Sequence, residues 1–182
     1  MTTREARGFT LIELMIVVGI IGIISAIAIP GLIRARLSAN EASGIATLRV
    51  INSGQVSFAS TCGGGGYAVT LEDLAKLPLS GGEGFISPEL DANDVIKSGY
   101  KIRLEKDAGG NPPGGRAVSD ATMSCNATAP WSSYYGSAVP QAFAAPGTGT
   151  RSFATDTRGT IFFNSTSIAP ANPLTAAMIP LQ

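Results

Sequence analysis

The chain has 182 residues, which suffices for one domain and an additional segment. Hydrophobic residues make up 45% of it and charged residues only 14%, whereas soluble domains carry about 25% charged residues. Part of the chain is therefore expected to lie in lipid or in a large interface. The formal net charge is zero and the basic residues are scattered, which indicates no specific nucleic-acid partner.

The composition also limits the chemistry that the chain can perform. It contains no histidine, which excludes mechanisms with an imidazole base and removes the commonest transition-metal ligand. Residues 63–66 are four consecutive glycines, but no Gly-Lys-Ser/Thr tripeptide follows them, so a phosphate-binding loop is not predicted. Because no paired catalytic carboxylates stand out either, we predict no catalytic residue, cofactor or metal site, and the chain is not expected to be an enzyme.

An apolar run dominates the N-terminal region. No charged residue occurs from Leu14 to Ile33. About 20 helical residues at about 1.5 Å each span roughly 30 Å, the thickness of the hydrocarbon core of a bilayer. Basic residues stand on both sides of the run: Arg4, Arg7, Arg34 and Arg36.

Three interpretations of this run compete. A secretory signal peptide would use Ala26-Ile27-Ala28 as its cleavage site, but its apolar core should be only about 7–15 residues long. A plain membrane anchor explains the length but not Glu13, since a carboxylate costs up to about 3 kcal/mol at the centre of a membrane helix. The third interpretation accounts for Glu13 and rests on a family resemblance.

The segment Gly-Phe-Thr-Leu-Ile-Glu-Leu at residues 8–14, followed by the apolar run, resembles the processing site of type IV prepilins and type II secretion pseudopilins. The resemblance implies that a prepilin peptidase cuts after Gly8 and methylates the new amine of Phe9. It also implies that Glu13 meets the N-terminal amine of a neighbouring subunit. An ammonium and a carboxylate attract strongly in the low-dielectric core of a filament, where each would be costly alone.

Two helix-weakening residues, Gly22 and Pro30, also match positions of that family. Proline inside a helix costs about 3 kcal/mol, and glycine costs about 1 kcal/mol relative to alanine. The resemblance implies that the stretch between them extends when the subunit leaves the bilayer for the filament. The alternative is that both residues are tolerated here as they are in other membrane helices.

The function that the resemblance implies is structural. A single-pass precursor in the bacterial inner membrane, surrounded by lipid, would be cleaved by the peptidase and extracted by inner-membrane assembly machinery into a helical homopolymer. The polymer would be a type IV pilus at the cell surface or, in the alternative, a periplasmic pseudopilus built from the major-type pseudopilin of a type II secretion system. A membrane-anchored binding domain is a more remote alternative.

The helix is predicted to continue through residues 34–60. Apolar residues recur there at spacings of one helical face, although Gly44 and Gly54 weaken the pattern. The residues of this apolar face are Leu37, Ile45, Leu48, Ile51 and Phe58. The glycines that begin at residue 63 are expected to end the helix.

The rest of the chain is predicted to form a small antiparallel sheet. Residues 99–105 alternate between apolar and polar, which is typical of a half-buried strand. Further strands are predicted at residues 131–139, 151–155 and 159–163, the last two as a hairpin. A short helix at residues 71–76 is expected to begin with Thr70 as its cap. Irregular structure is expected for residues 79–98, 107–116 and 164–182.

The predicted fold class is therefore α+β, with a long N-terminal helix and a small antiparallel sheet packed on its second half. The predicted domains are a leader peptide (1–8), a hydrophobic transmembrane and assembly helix (9–33), its amphipathic continuation (34–60) and a globular β-rich head (61–182). Cys62 and Cys125 are too far apart in sequence for a CxxC redox or zinc pair. In an exported protein they are predicted to form one disulfide, with two separate buried thiols as the alternative.

Overall fold

The computed structural model describes residues 8–109, 114–175 and 177–181. Helix α1 spans Leu11–Thr61 and helix α2 spans Leu71–Ala75. Two short 3-10 helices lie at Pro88–Leu90 and Ala121–Met123. The strands are β1 (Val95–Lys97), β2 (Tyr100–Glu105), β3 (Tyr135–Pro140), β4 (Ser152–Asp156), β5 (Ile161–Asn164) and β6 (Ile179–Pro180).

These strands form an antiparallel sheet in which each strand pairs with the next one in the chain, from β1 to β6. A long helix followed by such a sheet confirms the predicted α+β class. The chain divides into two compact units, Met1–Arg36 and Leu37–Gln182, and each is described by itself. The second unit is called the head below.

The C-terminal end of α1 follows from the glycines that come after it. The amide of Gly63 donates to the carbonyl of Phe58 at 2.7 Å, which satisfies one of the last helical carbonyls. Gly64 and Gly65 then take φ angles of +57° and +90°, which residues with a Cβ rarely adopt. The chain therefore leaves the helix where the sequence predicted that it would.

The main core of the head lies between α1 and one face of the sheet. Tyr100, Ile102 and Leu104 alternate along β2 and are fully buried, which confirms the predicted strand. The predicted apolar face of α1 is buried as well, except for Ile45, which is half-buried against the same cluster. Burial of a large apolar side chain contributes about 1.5–3 kcal/mol, so this cluster is the principal stabilising feature of the head.

Gly44 and Gly54, which weaken the helical pattern, are points of close approach between α1 and the rest of the head. A Cβ on Gly44 would lie 3.2 Å from the ring of Tyr100. A Cβ on Gly54 would lie only 2.7 Å from the carbonyl oxygen of Phe85. Packing therefore favours glycine at position 44 and requires it at position 54, at the expense of helix propensity.

A buried carboxylate, Glu41, fastens α1 to the loop between β3 and β4. Its Oε1 accepts hydrogen bonds from the amide and the hydroxyl of Thr150, at 2.9 and 2.6 Å, and its Oε2 accepts one from Nε of Arg151 at 2.8 Å. Burial acts to raise the pKa of the Glu41 carboxyl, but the hydrogen bonds from Thr150 and Arg151 outweigh it and hold the pKa below its ordinary value.

The side-chain amides of Gln55 and Asn93 each form two hydrogen bonds with the backbone of one residue, as a neighbouring strand would. Gln55 of α1 is fully buried; it accepts from the amide of Ala68 at 3.0 Å and donates to the carbonyl of the same residue at 2.6 Å. Asn93 does the same for Leu104, at 3.0 and 2.9 Å, beyond the point where β1 stops pairing with β2. Each amide satisfies a backbone donor and acceptor that would be costly to leave unpaired when buried.

Cys62 and Cys125 form a disulfide, with their Cα atoms 4.8 Å apart. This confirms the predicted bond and excludes separate thiols. Cys62 directly follows α1, and Cys125 follows the second 3-10 helix. The bond therefore ties the end of the helix to the loop that precedes β3.

The sequence patterns placed some elements correctly and missed others. The β4–β5 hairpin and α2 are confirmed, with the Thr70 hydroxyl accepting from the amide of Asp73 at 3.1 Å. The strand predicted at 131–139 begins only at Tyr135; Trp131 instead forms isolated bridges to Tyr67 and Ala117. Part of the loop predicted at 107–116, residues 110–113, lies outside the described residues.

The prediction of irregular structure was wrong for β1 and β6. Both strands have no more than three residues and are held by pairing with a longer strand: Ile96 lies opposite Lys101 of β2, and Ile179 lies opposite Phe163 of β5. Such short strands depend on their partners rather than on their own propensity.

The C-terminal segment covers the second face of the sheet. Tyr135, Ala154 and Phe162 project from that face and form a small buried cluster with Leu174, against which Met178 packs. The hydroxyl of Tyr135 also donates to the carbonyl of Pro170. The segment was expected to run over the surface, and it adds a second apolar cluster to the head.

Candidate assembly site

The start of α1 is organised by Thr10 and Glu13. The amide and the hydroxyl of Thr10 both donate to Oε2 of Glu13, at 3.0 and 2.6 Å. In return, the amide of Glu13 donates to the Thr10 hydroxyl at 3.3 Å, while the amide of Leu14 donates to the Thr10 carbonyl at 3.3 Å. This reciprocal arrangement is a capping box, in which Thr10 is the N-cap and Glu13 the third helical residue.

The capping box gives Glu13 hydrogen-bond partners within its own subunit. The carboxylate is stabilised within its own subunit, at the helix end where the macrodipole favours negative charge. A carboxylate offers about four acceptor sites, so the bonds from Thr10 leave capacity for an ammonium from another molecule. Thr10 was not singled out from the sequence, although the pattern Thr-x-x-Glu ahead of an apolar run was a sufficient signal.

The candidate processing point lies just before this cap. Gly8 and Phe9 both precede α1 and are exposed, Phe9 by 82%. The remainder of the predicted leader, residues 1–7, lies outside the described residues. Cleavage after Gly8 and methylation of Phe9 stay predictions.

The helix that follows presents apolar side chains on every side. Large apolar residues between Leu11 and Leu32 are about half to three-quarters exposed, from 48% for Val17 to 77% for Ile27. Among the described residues, α1 is long and apolar enough to cross a membrane, and none of its most apolar 18-residue window is buried. A helix that is apolar all round requires cover from lipid or from other helices.

Gly22 and Pro30 both lie within α1, which continues through them. A Cβ on Gly22 would have no heavy atom within 4 Å, in contrast to Gly54 in the head. Packing within the subunit therefore does not explain Gly22, and its proposed role in extension stays a prediction. Within the described residues, no group of three or more Asp, Glu or Cys side chains is placed to hold a metal ion.

The N-terminal segment matches known proteins. Residues 3–29 match the prokaryotic N-terminal methylation motif. The chain is 50% identical over 54 residues to the type IV major pilin protein PilA of Myxococcus xanthus, over 30% of this chain and 24% of that protein. It is 58% identical over 38 residues to the type IV wide pilus major component PilA4 of Thermus thermophilus, over 21% of this chain and 29% of that protein.

The matched methylation motif coincides with the start of the capped, exposed apolar helix. These matches show that the N-terminal segment of the chain is similar to that of type IV major pilins. The matched region spans about a quarter of the length of these relatives. No solved structure matches the chain significantly.

Proposed function

We propose that this chain is a structural subunit of a type IV pilus. The precursor would reside in the bacterial inner membrane, with residues 9–33 in the lipid and the head outside it. A prepilin peptidase would remove residues 1–8 and methylate the amine of Phe9. Inner-membrane assembly machinery would then move the subunit into a homopolymer in which residues 9–33 form the core, 34–60 continue the helix and 61–182 form the outer part.

The exposed apolar surface of α1 is the observation that carries this proposal. Soluble monomers rarely expose contiguous apolar patches beyond a few hundred Å², whereas α1 exposes large apolar side chains from Leu11 to Leu32. Lipid covers such a surface before assembly and neighbouring helices cover it afterwards. Because both environments shield it, little free energy is gained by the transfer, and extraction should depend on an external motor.

Glu13 gives the polymer a defined register. In a filament core its carboxylate would meet the methylated ammonium of Phe9 from a neighbouring subunit. Methylation leaves that amine positively charged, so the two groups neutralise each other where either alone would be costly. The capping bonds from Thr10 hold the carboxylate at the helix start, where the neighbouring amine is expected.

N-terminal mass spectrometry of the mature protein tests the processing steps. We expect a chain that begins at Phe9 and carries one methyl group. A chain that begins at Ile29 would indicate ordinary signal-peptide cleavage after Ala28 and would overturn the proposal.

Electron microscopy of material sheared from the cell surface tests the assembled product. We expect filaments that contain this chain and that are missing from a strain with the gene deleted. If the chain is found only in short periplasmic fibres, and if its deletion blocks protein secretion, the pseudopilin alternative is correct instead.

A further inference from the structure

The head carries an apolar groove beside α1, and its own side chains leave that groove open. Its apolar lining consists of Val50 of α1 together with Leu77, Phe85, Ile86 and Pro88. The groove has a volume of about 470 Å³. Val50 and Leu77 are 48% and 59% exposed, so the groove presents apolar surface to whatever lies next to the head.

This groove continues along α1 into a smaller one. The second groove, of about 210 Å³, shares Val50 and Ser87 with the first and extends along α1 to Ser43. Together they are called the head groove. About seven residues separate Ser43 from Val50, so the head groove follows α1 for about two turns.

The two ends of the head groove differ in charge. Lys97 lies at the end near Ser43 and is neutralised by Glu89, with Nζ and Oε2 2.8 Å apart. Glu83 lies at the other end, near Val50, and is exposed. Among the described residues Glu83 forms no salt bridge, so the uncompensated charge of the head groove is negative and lies at one end.

The chain itself contains a segment that fits these features. Ile29 and Leu32 are both 55% exposed, and Arg36 follows on the same face, at helical spacings of three and four residues. This segment is apolar with a cation at its C-terminal end. Arg34 projects from nearly the opposite side of the helix, because two residues correspond to about 200° of rotation.

We propose that the head groove receives the Ile29–Arg36 segment of a second copy of this chain, with Arg36 of that copy placed against Glu83. The proposal rests on the pilus function proposed above and names the surface through which one subunit contacts the next. The charges fix the direction: Arg36 reaches Glu83 and avoids Lys97 only if the incoming helix runs parallel to α1. Apolar contact supplies most of the attraction, and the ion pair selects register and orientation.

Disulfide trapping in assembled filaments is the main test. Both native cysteines are already bonded to each other, so introduced thiols are the only free ones. A variant with Ser87→Cys and Leu32→Cys should give a ladder of covalent oligomers after mild oxidation, on a gel without reductant. The matched control is Ser87→Cys with Arg34→Cys, whose second thiol faces away and should give little ladder.

A charge exchange tests the polar end of the contact. Glu83→Arg should lower filament yield by about fivefold, the upper range for an exposed ion pair. Adding Arg36→Glu should restore the yield, and adding Arg34→Glu should not. Because Glu83 is exposed, the variant heads should keep the Cys62–Cys125 bond and their protease resistance, which separates an assembly defect from a folding defect.

The results distinguish this inference from the function on which it rests. If the unaltered chain forms no filament, the pilus proposal fails and the contact fails with it. If filaments form but the Leu32 pair cross-links no better than the Arg34 pair, or if Arg36→Glu does not restore yield, the pilus proposal stands and the head groove contact is wrong. A strong ladder from the Leu32 pair together with charge rescue supports both.

Discussion

The N-terminal unit and the head use the same kinds of apolar residue in opposite ways. In the N-terminal unit, side chains such as Ile21 and Ile24 are 57% and 61% exposed, whereas Leu48 and Ile51 of the same helix are fully buried in the head. The head therefore covers its own apolar surface, and the N-terminal unit leaves its surface for another molecule. The contrast predicts that changes in one region affect assembly and changes in the other affect stability.

Polar groups follow the same division. In the head, buried Glu41 and Gln55 find partners within the chain, in Arg151 and Ala68. At the start of α1, Glu13 is bound only by its own helical turn among the described residues. These buried polar groups of the head thus have hydrogen-bond partners within the chain, while the N-terminal unit retains a carboxylate that can accept a bond from another molecule.

The largest effect is expected from Glu13. Glu13→Ala should reduce filament yield by about a hundredfold, because an unpaired charge in a filament core costs about 3 kcal/mol or more. Glu13→Gln keeps the shape but loses the charge and should be nearly as defective. Yield is measured on sheared material from cells without a wild-type copy, and fluorescence of Trp131 reports the fold of the head. Normal yield from both variants would remove the proposed role of Glu13.

Loss of the disulfide, in contrast, should lower the stability of the head. The bond joins residues separated by 63 positions, and chain-entropy estimates for such a loop are about 4 kcal/mol. The double change Cys62→Ser and Cys125→Ser should lower the free energy of unfolding of the head by about that amount while cleavage after Gly8 continues. Urea denaturation of the full chain in detergent, followed by Trp131 fluorescence, measures the effect. Unchanged denaturation midpoints would show that the head does not depend on this bond.

A matched pair of glycine substitutions compares the two regions directly. Gly54→Ala should destabilise the head by about 1–3 kcal/mol, because the added methyl group is forced against the Phe85 carbonyl. Gly22→Ala meets no neighbour and should leave head stability unchanged. If the stretch after Gly22 must extend during assembly, the same change should lower filament yield several-fold, since alanine stabilises the helix by about 1 kcal/mol. Equal denaturation curves for both variants would contradict the packing role of Gly54.

The smallest effect is expected from the pH dependence of Glu41. Its pKa is lowered in the folded head relative to an ordinary value of 4.5, so its contribution is complete above about pH 4.5 and is lost as the pH falls through the folded-state pKa. Glu41→Gln should lower the free energy of unfolding by about 1 kcal/mol at neutral pH. It should also make the free energy of unfolding fall less steeply as the pH is lowered.

Glu89→Gln is the control for this experiment. The pKa of Glu89 is also lowered, by its hydrogen bond to Lys97, but Glu89 is exposed and Lys97 is partly exposed, so the pair should contribute little. Denaturation midpoints at neutral and acidic pH give the comparison. If the denaturation midpoint of Glu41→Gln falls in acid as much as that of the wild type, other carboxylates determine the pH dependence of stability.

Much of the candidate site was predictable because it depends on short stretches of sequence. The helix through Leu14–Ile33, the processing pattern around Gly8 and the unusual position of Glu13 need no distant residue to be recognised. The capping role of Thr10 was equally local and was overlooked. In the head, the clean alternation at Tyr100, Ile102 and Leu104 was enough to place β2 and its buried face.

By itself, the sequence determined the long helix, the place where it ends, the β2 strand, the β4–β5 hairpin and the Cys62–Cys125 pair, since run length, alternation and cysteine count carry that information. Tertiary structure alone decided β1 and β6, because strands of two or three residues form only where a longer strand pairs with them. It also decided the roles of Gly44 and Gly54, which weaken a helix in isolation but allow Tyr100 and Phe85 to pack closely against it. The head groove belongs to the same category, because its walls come from residues more than 50 positions apart, such as Ser43 and Lys97, that only the folded chain brings together.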